Sequence, residues 1–163
     1  MESNPRAHDD ACKSVRFAPD GSCFVSAGDD MAIQKWRCPC MGGAPSGAPS
    51  GAPADDASAD VCGGALAQPL ARVARAHGAK ILRVAFAPDA ASFATCAKDC
   101  QVHVWATVTL VRLRTIGGPR NYVRSLAYSP SGAVLGGGTS GGVIMLWEVR
   151  DLDRSSLLSL IHI

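Results

Sequence analysis

Two sets of polar side chains in this sequence have the residue types that nucleophilic catalysis uses. Each set combines a histidine, a hydroxyl residue and an aspartate, which a hydrolase would use as base, nucleophile and orienting acid. The sets recur at identical spacing along the chain, which favours a repeated structural role over two separate active sites. We therefore predict that the chain has no catalytic residues. The first set comprises His8, Ser26 and Asp30, and the second comprises His77, Thr95 and Asp99.

Three cysteines suggest a second kind of chemistry, a zinc site. Cys38 and Cys40 are separated by one residue, Cys62 follows later, and no fourth ligand is available nearby. Structural zinc sites use two pairs of ligands at wider spacing. We therefore predict no metal and no other cofactor; the alternative is a metal- or redox-sensing domain that uses these cysteines.

The composition indicates an intracellular protein, either cytoplasmic or nuclear. The chain has seven cysteines, an odd number, and its start lacks the basic and then apolar pattern of a secretion signal. Free thiols are typical of reducing compartments. No apolar run is long enough to span a bilayer. The net charge of +2 is too small to indicate nucleic acid or an anionic membrane as a partner.

An internal repeat organises the elements that must position these residues. Proline-containing turns at Pro19, Pro88 and Pro130 are each followed 17 residues later by a tryptophan. An aromatic residue precedes each turn, and an aliphatic residue lies two positions before that aromatic. The second and third turns are 42 residues apart, which is the length of a propeller repeat. The three tryptophans of the chain are Trp36, Trp105 and Trp147.

Each repeat contains short runs of alternating residues, which predict β-strands. One strand precedes the proline turn, a second follows it, a third ends on the tryptophan, and a fourth is plausible in the first two repeats. Four short antiparallel strands per repeat are typical of a β-propeller blade. The expected strands are 12–17, 22–27, 32–36, 69–75, 81–86, 91–96, 101–105, 110–115, 123–128, 133–137 and 143–147.

With this pattern the chain resembles the WD40-repeat family. The second repeat matches through His77, residues 84–89, Asp99 and residues 102–105. The first repeat matches at the corresponding positions: His8, 15–21, Asp30 and 33–36. Alanine replaces the glycine before each histidine, and no tryptophan is followed by aspartate. The resemblance implies an all-β, WD40-type β-propeller fragment of about three four-stranded antiparallel blades, the last one incomplete.

The resemblance also gives the two polar sets a structural role. In the family, the histidine, the hydroxyl, the aspartate and the tryptophan of a blade form a buried hydrogen-bond network. Such a network is chemically complete, because tryptophan donates, a hydroxyl donates and accepts, and histidine can link to a carboxylate. It carries over to His8, Ser26, Asp30 and Trp36, and to His77, Thr95, Asp99 and Trp105.

The third repeat lacks this network. Pro119, Gly137 and Gly141 stand in the three other columns, and Trp147 alone is retained. Residues 136–142 form a glycine-rich run, but they lack the Gly-Lys-Ser/Thr of a phosphate-binding loop. We therefore expect a more loosely held blade.

The repeat divides the chain into blades and insertions. Residues 38–65 contain a repeated Gly-Ala-Pro-Ser tetrapeptide and are expected to form a flexible loop. The last six residues, 158–163, match the translation of a sequencing-library adapter, so we interpret them as a non-native scar, with a genuine fourth strand as the alternative. Blade 1 is assigned to 1–37 and 66–77, blade 2 to 78–116, an incomplete blade 3 to 117–150, and a tail to 151–163.

These observations predict a non-catalytic scaffold for protein–protein interaction, which is a function inferred from resemblance. Its partners would be other proteins or peptides, with no nucleic acid and no membrane. We expect the contacts on the face formed by the segments that lead into strand one and the turns between strands two and three. The candidate contact residues are Asp10, Asp29, Lys80, Lys98 and Ser140.

One alternative places the chain in a larger enzyme complex. The segment Trp-Glu-Val-Arg at 147–150 is close to the Trp-Asp-x-Arg box of WD40 substrate receptors in cullin–RING ubiquitin ligases. The alternative function is therefore a substrate-receptor or regulatory propeller of such a complex.

Overall fold

The fold is all-β within the residues that the structure describes. The computed structural model describes residues 7–38, 69–117 and 120–149, together with the backbone of residues 159–161. These residues form three sheets of four strands each, and no helix occurs among them. Blade 1 contains β1 (Cys12–Phe17), β2 (Cys23–Gly28), β3 (Ile33–Arg37) and β4 (Pro69–Val73). Blade 2 contains β5 (Ile81–Phe86), β6 (Ser92–Ala97), β7 (Val102–Ala106) and β8 (Arg112–Ile116). Blade 3 contains β9 (Val123–Tyr128), β10 (Val134–Thr139), β11 (Ile144–Glu148) and β12 (Ser159–Ile161).

Each sheet is an antiparallel meander in which neighbours along the chain are neighbours in the sheet. Eleven of the strands begin and end within two residues of the expected ranges. Blade 3 has a fourth strand, β12, in addition to the three expected ones. It pairs with β11 through Ile144↔Ile161 and Leu146↔Ser159. This fourth strand is the alternative that the sequence left open for the end of the chain. The expected loop at 38–65 lies outside the described residues, except for Cys38.

The proline turns close because one residue of each adopts a positive φ. Gly21 has a φ of 70° and Gly132 a φ of 72°, whereas the same position in blade 2 holds Ala90 with a φ of 58°. An L-residue with a side chain is strained in this left-handed region, and glycine is not. Blade 2 therefore carries strain at a position where the other two blades avoid it.

Replacing Ala90 with glycine should relieve this strain. We expect Ala90→Gly to raise the free energy of unfolding by about 0.5 kcal/mol, and Gly21→Ala to lower it by about 1 kcal/mol. Chemical denaturation of the two variants beside the wild-type chain measures both changes. Equal midpoints for all three proteins would show that the turn tolerates a side chain without cost.

The hydrophobic core lies between the blades. Val25, Ala27 and Ile33 of blade 1 pack against Ile81 and Phe93 of blade 2 in the first cluster. A second cluster joins the opposite face of blade 2 to blade 3, through residues that include Val102, Val104, Val123, Leu135 and Trp147. Polar contacts also cross the first interface, because the buried Ser14 hydroxyl accepts a hydrogen bond from the Val84 amide at 3.2 Å.

One face of blade 1 has no covering blade among the described residues. Val15 is 43% exposed and Phe17 is 61% exposed, whereas Val84, the equivalent of Val15 in blade 2, is 1% exposed. The difference follows from the stacking, because blade 1 covers Val84 and nothing described covers Val15.

Candidate functional site

The first polar set forms a continuous buried hydrogen-bond chain in blade 1. Trp36 Nε1 donates to Ser26 Oγ at 2.8 Å, and Ser26 Oγ lies 2.7 Å from His8 Nε2. His8 Nδ1 lies 2.9 Å from Asp30 Oδ1. The geometry fits a tautomer whose Nδ1–H donates to the carboxylate and whose Nε2 accepts from the hydroxyl. Every side-chain polar group in this hydrogen-bond chain then has a partner.

The same chain exists in blade 2. Trp105 Nε1 donates to Thr95 Oγ1 at 2.8 Å, and Thr95 Oγ1 lies 2.7 Å from His77 Nε2. His77 Nδ1 lies 3.0 Å from Asp99 Oδ2, which also accepts from the Gly78 amide at 2.9 Å. The structure therefore brings together all eight residues of the two expected networks, four in each blade.

These sets cannot present a nucleophile to a substrate. Ser26 is 3% exposed and Thr95 is fully buried, and each hydroxyl is occupied by a tryptophan and a histidine. A catalytic hydroxyl must reach a bound substrate, as the nucleophile of a Ser-His-Asp triad does. The residue types of a catalytic triad therefore have a structural role here, because their hydrogen bonds hold parts of the blade together.

His77 is held neutral by its surroundings. Burial, and to a smaller extent the neighbouring His103 ring, lower the pKa of His77 to about 4. The two rings stack with their centroids 3.9 Å apart. Asp99 acts in the opposite direction, but removing the imidazolium from water has the larger effect.

Acidification should therefore destabilise blade 2. In the unfolded chain His77 takes up a proton near its ordinary pKa of 6.5, whereas the folded pKa is about 4. Between these values the unfolded state binds more protons, so stability falls as the pH decreases, by at most about 1.4 kcal/mol per pH unit for one group. An NMR titration of the His77 imidazole gives the folded pKa directly. A value above 6 would contradict this expectation.

Blade 3 keeps the tryptophan without the network. Trp147 is 2% exposed, and its Nε1 has no hydrogen-bond partner among the described residues. Gly137 stands where Ser26 and Thr95 stand in the other blades, so no hydroxyl is present to accept the bond. Pro119, in the histidine column, lies outside the described residues.

A basic cleft of about 340 Å³ opens at the end of the blades where strand one begins. Seven residues from all three blades line it. Five of them are cationic at neutral pH and one is a carboxylate, so the cleft has an excess of positive charge. The lining residues are Lys13, Asp29, Lys80, Leu82, Arg83, Lys98 and Arg124.

Two repeated structural features build the cleft. The first strand of each blade contains a register shift, and the residue at the shift, Lys13, Leu82 or Arg124, lines the cleft. A β-bulge of this kind redirects a side chain at the end of a strand. The turn between strands two and three adds Asp29 and Lys98, whose amides each bond to the segment before strand one.

One carboxylate holds two of the cations. Lys80 Nζ lies 2.9 Å from Asp29 Oδ2, and Lys13 Nζ lies 3.6 Å from the same oxygen. The hydrogen bond from Lys80 lowers the pKa of Asp29, and the same bond raises the pKa of Lys80. The other carboxylate oxygen, Asp29 Oδ1, is buried without a hydrogen-bond partner among the described residues.

Comparison with known proteins decides the family. The family model "WD domain, G-beta repeat" (WD40) matches residues 3–37, 68–106 and 110–148, which together are more than half of the chain. The chain belongs to the WD40 family.

Several relatives of this chain are much longer than it is. It is similar to protein HIR1 of Cryptococcus neoformans, with 23% identity over 164 aligned residues that cover 97% of this chain and 17% of HIR1. It is also similar to apoptotic protease-activating factor 1 of Rattus norvegicus, with 23% identity, 88% of this chain and 13% of that protein. The chain thus spans less than a fifth of either relative.

Solved structures show the same WD40 propeller fold. A structure of U3-55K superposes with a TM-score of 0.70 and 19% identity, covering 96% of this chain and 40% of that one. The RRP9 WD40 repeats give the same TM-score and identity, with 39% of that chain covered. This likeness concerns the fold.

The WD40 cleft includes three of the five contact residues expected from the sequence: Asp29, Lys80 and Lys98. Asp10 and Ser140 are exposed but are not among its lining residues. Sequence reasoning missed four lining residues, and the signal for three of them was the column two positions before the aliphatic residue of strand one. The missed residues are Lys13, Leu82, Arg83 and Arg124.

The cysteines of this WD40 chain form no cluster in its described part. Cys12, Cys23, Cys38, Cys96 and Cys100 are free thiols, and no group of three or more metal-binding side chains occurs among the described residues. Burial raises the pKa of the Cys96 thiol to about 12. Cys40 and Cys62 lie outside the described residues. Within the described ranges, no helix is long and apolar enough to cross a membrane.

Proposed function

We propose that this WD40 chain is a non-catalytic scaffold whose protein partners contact the basic cleft. One observation carries the proposal: the residue at the strand-one bulge lines the cleft in all three blades, and the turn between strands two and three adds a residue in blades 1 and 2. The buried networks of blades 1 and 2 fix the neighbouring strands. The cleft side chains are thereby displayed on a rigid framework, as a binding surface requires.

The buried networks also support the non-catalytic part of the proposal. The hydroxyl groups with an adjacent histidine and aspartate are Ser26 and Thr95, and both are closed off from substrate by the core. The cleft itself contains amines, guanidinium groups and one carboxylate that is already paired with Lys80. This arrangement is suited to recognition of a charged partner.

The proposed partners are proteins or peptides, and the proposed location is intracellular, in the cytoplasm or nucleus. The free thiols of the described cysteines support a reducing compartment. No observation on the described residues favours the alternative role as a substrate receptor of a ubiquitin ligase. Of the box that suggested it, Trp147 is buried and Arg150 lies outside the described residues.

Selection from a peptide display library tests this function. The immobilised 163-residue chain should enrich a set of peptides. These peptides should bind the double variant Lys98→Ala/Arg124→Ala at least fivefold more weakly than they bind the wild-type chain. The variant Arg16→Ala/Arg37→Ala is the matched control, because both arginines are exposed and neither lines the cleft. Enriched peptides that bind all three proteins equally, or no enrichment, would refute a recognition role for the cleft.

A further inference from the structure

We propose that the cleft binds an acidic segment of a partner protein, a stretch of chain in which aspartate or glutamate side chains recur. This inference rests on the proposed scaffold function and specifies the chemistry of its partner. It is carried by charge complementarity, because five cations and one carboxylate line the same opening. The volume of about 340 Å³ is at the lower end for ligand pockets, so it suits a few side chains of a longer segment.

Three of the cations are available to a ligand. Lys13 and Lys80 share Asp29, but Arg83, Lys98 and Arg124 form no ion pair within 4 Å with another described residue. Lys98 Nζ instead lies 6.0 Å from the centre of the Tyr122 ring. All three side chains are exposed, so a ligand can reach them without displacing an internal partner.

The distribution of these charges favours a segment with several anionic side chains. Arg83 lies on β5, Lys98 on the turn after β6, and Arg124 at the bulge of β9. The cations thus come from separate elements of two blades, and Lys13 extends the charge to the third. Carboxylates spaced along an extended peptide can meet separate cations in turn.

Asp29 favours a peptide over a nucleic acid. Its Oδ1 is a buried acceptor without a partner, on a side chain that is 9% exposed and lines the cleft. A buried acceptor without a hydrogen bond is costly, so a ligand that supplies a donor gains from it. A peptide offers a backbone N–H at almost every residue. The phosphodiester backbone of a nucleic acid has no such donor.

The partner segment comes from another molecule. The chain has its own acidic stretch, with Asp55, Asp56 and Asp60, in the part between β3 and β4. The described residues that flank this part, Cys38 and Pro69, lie at the ends of β3 and β4 away from the turn between β2 and β3. Because that turn contributes Asp29 to the cleft, the part of the chain that contains the acidic stretch is attached at the opposite end of the strands from the cleft.

Fluorescence anisotropy with defined probes tests the inference on the 163-residue chain. The probe is a fluorescein-labelled decapeptide of alternating glutamate and glycine, compared with the same peptide carrying glutamine for glutamate. We expect saturable binding of the glutamate peptide and at least tenfold weaker binding of the glutamine peptide. The affinity should fall when NaCl is raised from 50 to 300 mM, because exposed charges are screened.

The double variant Lys98→Gln/Arg124→Gln should bind the glutamate peptide about tenfold more weakly, because two charge contacts are lost. Arg16→Gln/Arg37→Gln changes the net charge equally outside the cleft and should bind like the wild type. A larger loss of affinity in the cleft variant than in the control variant supports binding of the peptide at the cleft. Equal losses in the two variants would show a nonspecific charge attraction and overturn the inference.

A ten-nucleotide oligothymidylate separates the two classes of polyanion. Tighter, cleft-dependent binding of the oligonucleotide than of the glutamate peptide would overturn the assignment to an acidic peptide. If library-selected peptides depend on Lys98 and Arg124 but are neutral or basic, the inference fails and the scaffold function stands. If selected peptides do not depend on the cleft, the scaffold proposal fails as well.

Discussion

Thr95→Val should lower the free energy of unfolding by about 2–4 kcal/mol. The substitution keeps the size and branching of the side chain but removes the hydroxyl that joins Trp105 Nε1 to His77 Nε2 at 2.8 and 2.7 Å. Thr95 is fully buried and His77 is 3% exposed, so water cannot replace the lost bonds. The variant leaves a buried donor and a buried acceptor without partners, which is the most costly way to break a network.

Chemical denaturation followed by circular dichroism measures this loss. Thr115→Val is the matched control, because Thr115 is an exposed strand residue of the same blade and its replacement should change stability by less than about 0.5 kcal/mol. Ser26→Ala should repeat the loss in blade 1, where Ser26 has the same two partners. Coincident unfolding of Thr95→Val and Thr115→Val would show that the network adds nothing to stability.

Gly137→Ser should also destabilise the protein, by about 1–3 kcal/mol. It would place a hydroxyl in the column of Ser26 and Thr95, next to a tryptophan whose Nε1 lacks a partner. A Cβ at Gly137, however, would lie 2.8 Å from two ring carbons of Trp147 and 3.1 Å from Val123 Cγ1. Trp147 is 2% exposed and Val123 is fully buried, so neither can move away freely.

Two further variants separate the clash from the hydroxyl. Gly137→Ala adds the Cβ alone and should cost about as much as the serine, since the ring contact causes the loss. Gly117→Ser is the control, because a Cβ at Gly117 meets nothing within 4 Å. If Gly137→Ser were as stable as the wild type, the Trp147 ring would have to shift and donate a hydrogen bond to the new hydroxyl.

The sequence predicted the framework well because the repeat is periodic. The constant distance from the proline turn to the tryptophan aligned three units, and the alternating runs within each unit predicted its strands. The WD40 resemblance, carried over along the columns of that alignment, implied the eight residues that the structure joins in two hydrogen-bond chains. A column in a repeat specifies a position in the blade, so identity of residue type implies identity of contact.

The cleft was harder to predict because it depends on a local irregularity. Strict alternation along strand one assigns each residue to one face, but the register shift at Lys13, Leu82 and Arg124 adds an unpaired residue. The shift redirects these side chains toward the turns that carry Asp29 and Lys98. Asp10 and Ser140 were chosen from the same kinds of segment, yet neither is among the lining residues.

The sequence by itself determined the class of fold, the division into blades and the identity of the buried polar groups. These features depend on residue type and spacing, which periodicity records directly. The tertiary structure alone decided which cations converge on one cleft, which carboxylate oxygen is left without a partner, and that Gly137 leaves the space filled by the Trp147 ring. Such features depend on how separate blades stack and on close contacts between individual side chains. Sequence separation does not encode those distances, because they arise only when the sheets are packed together.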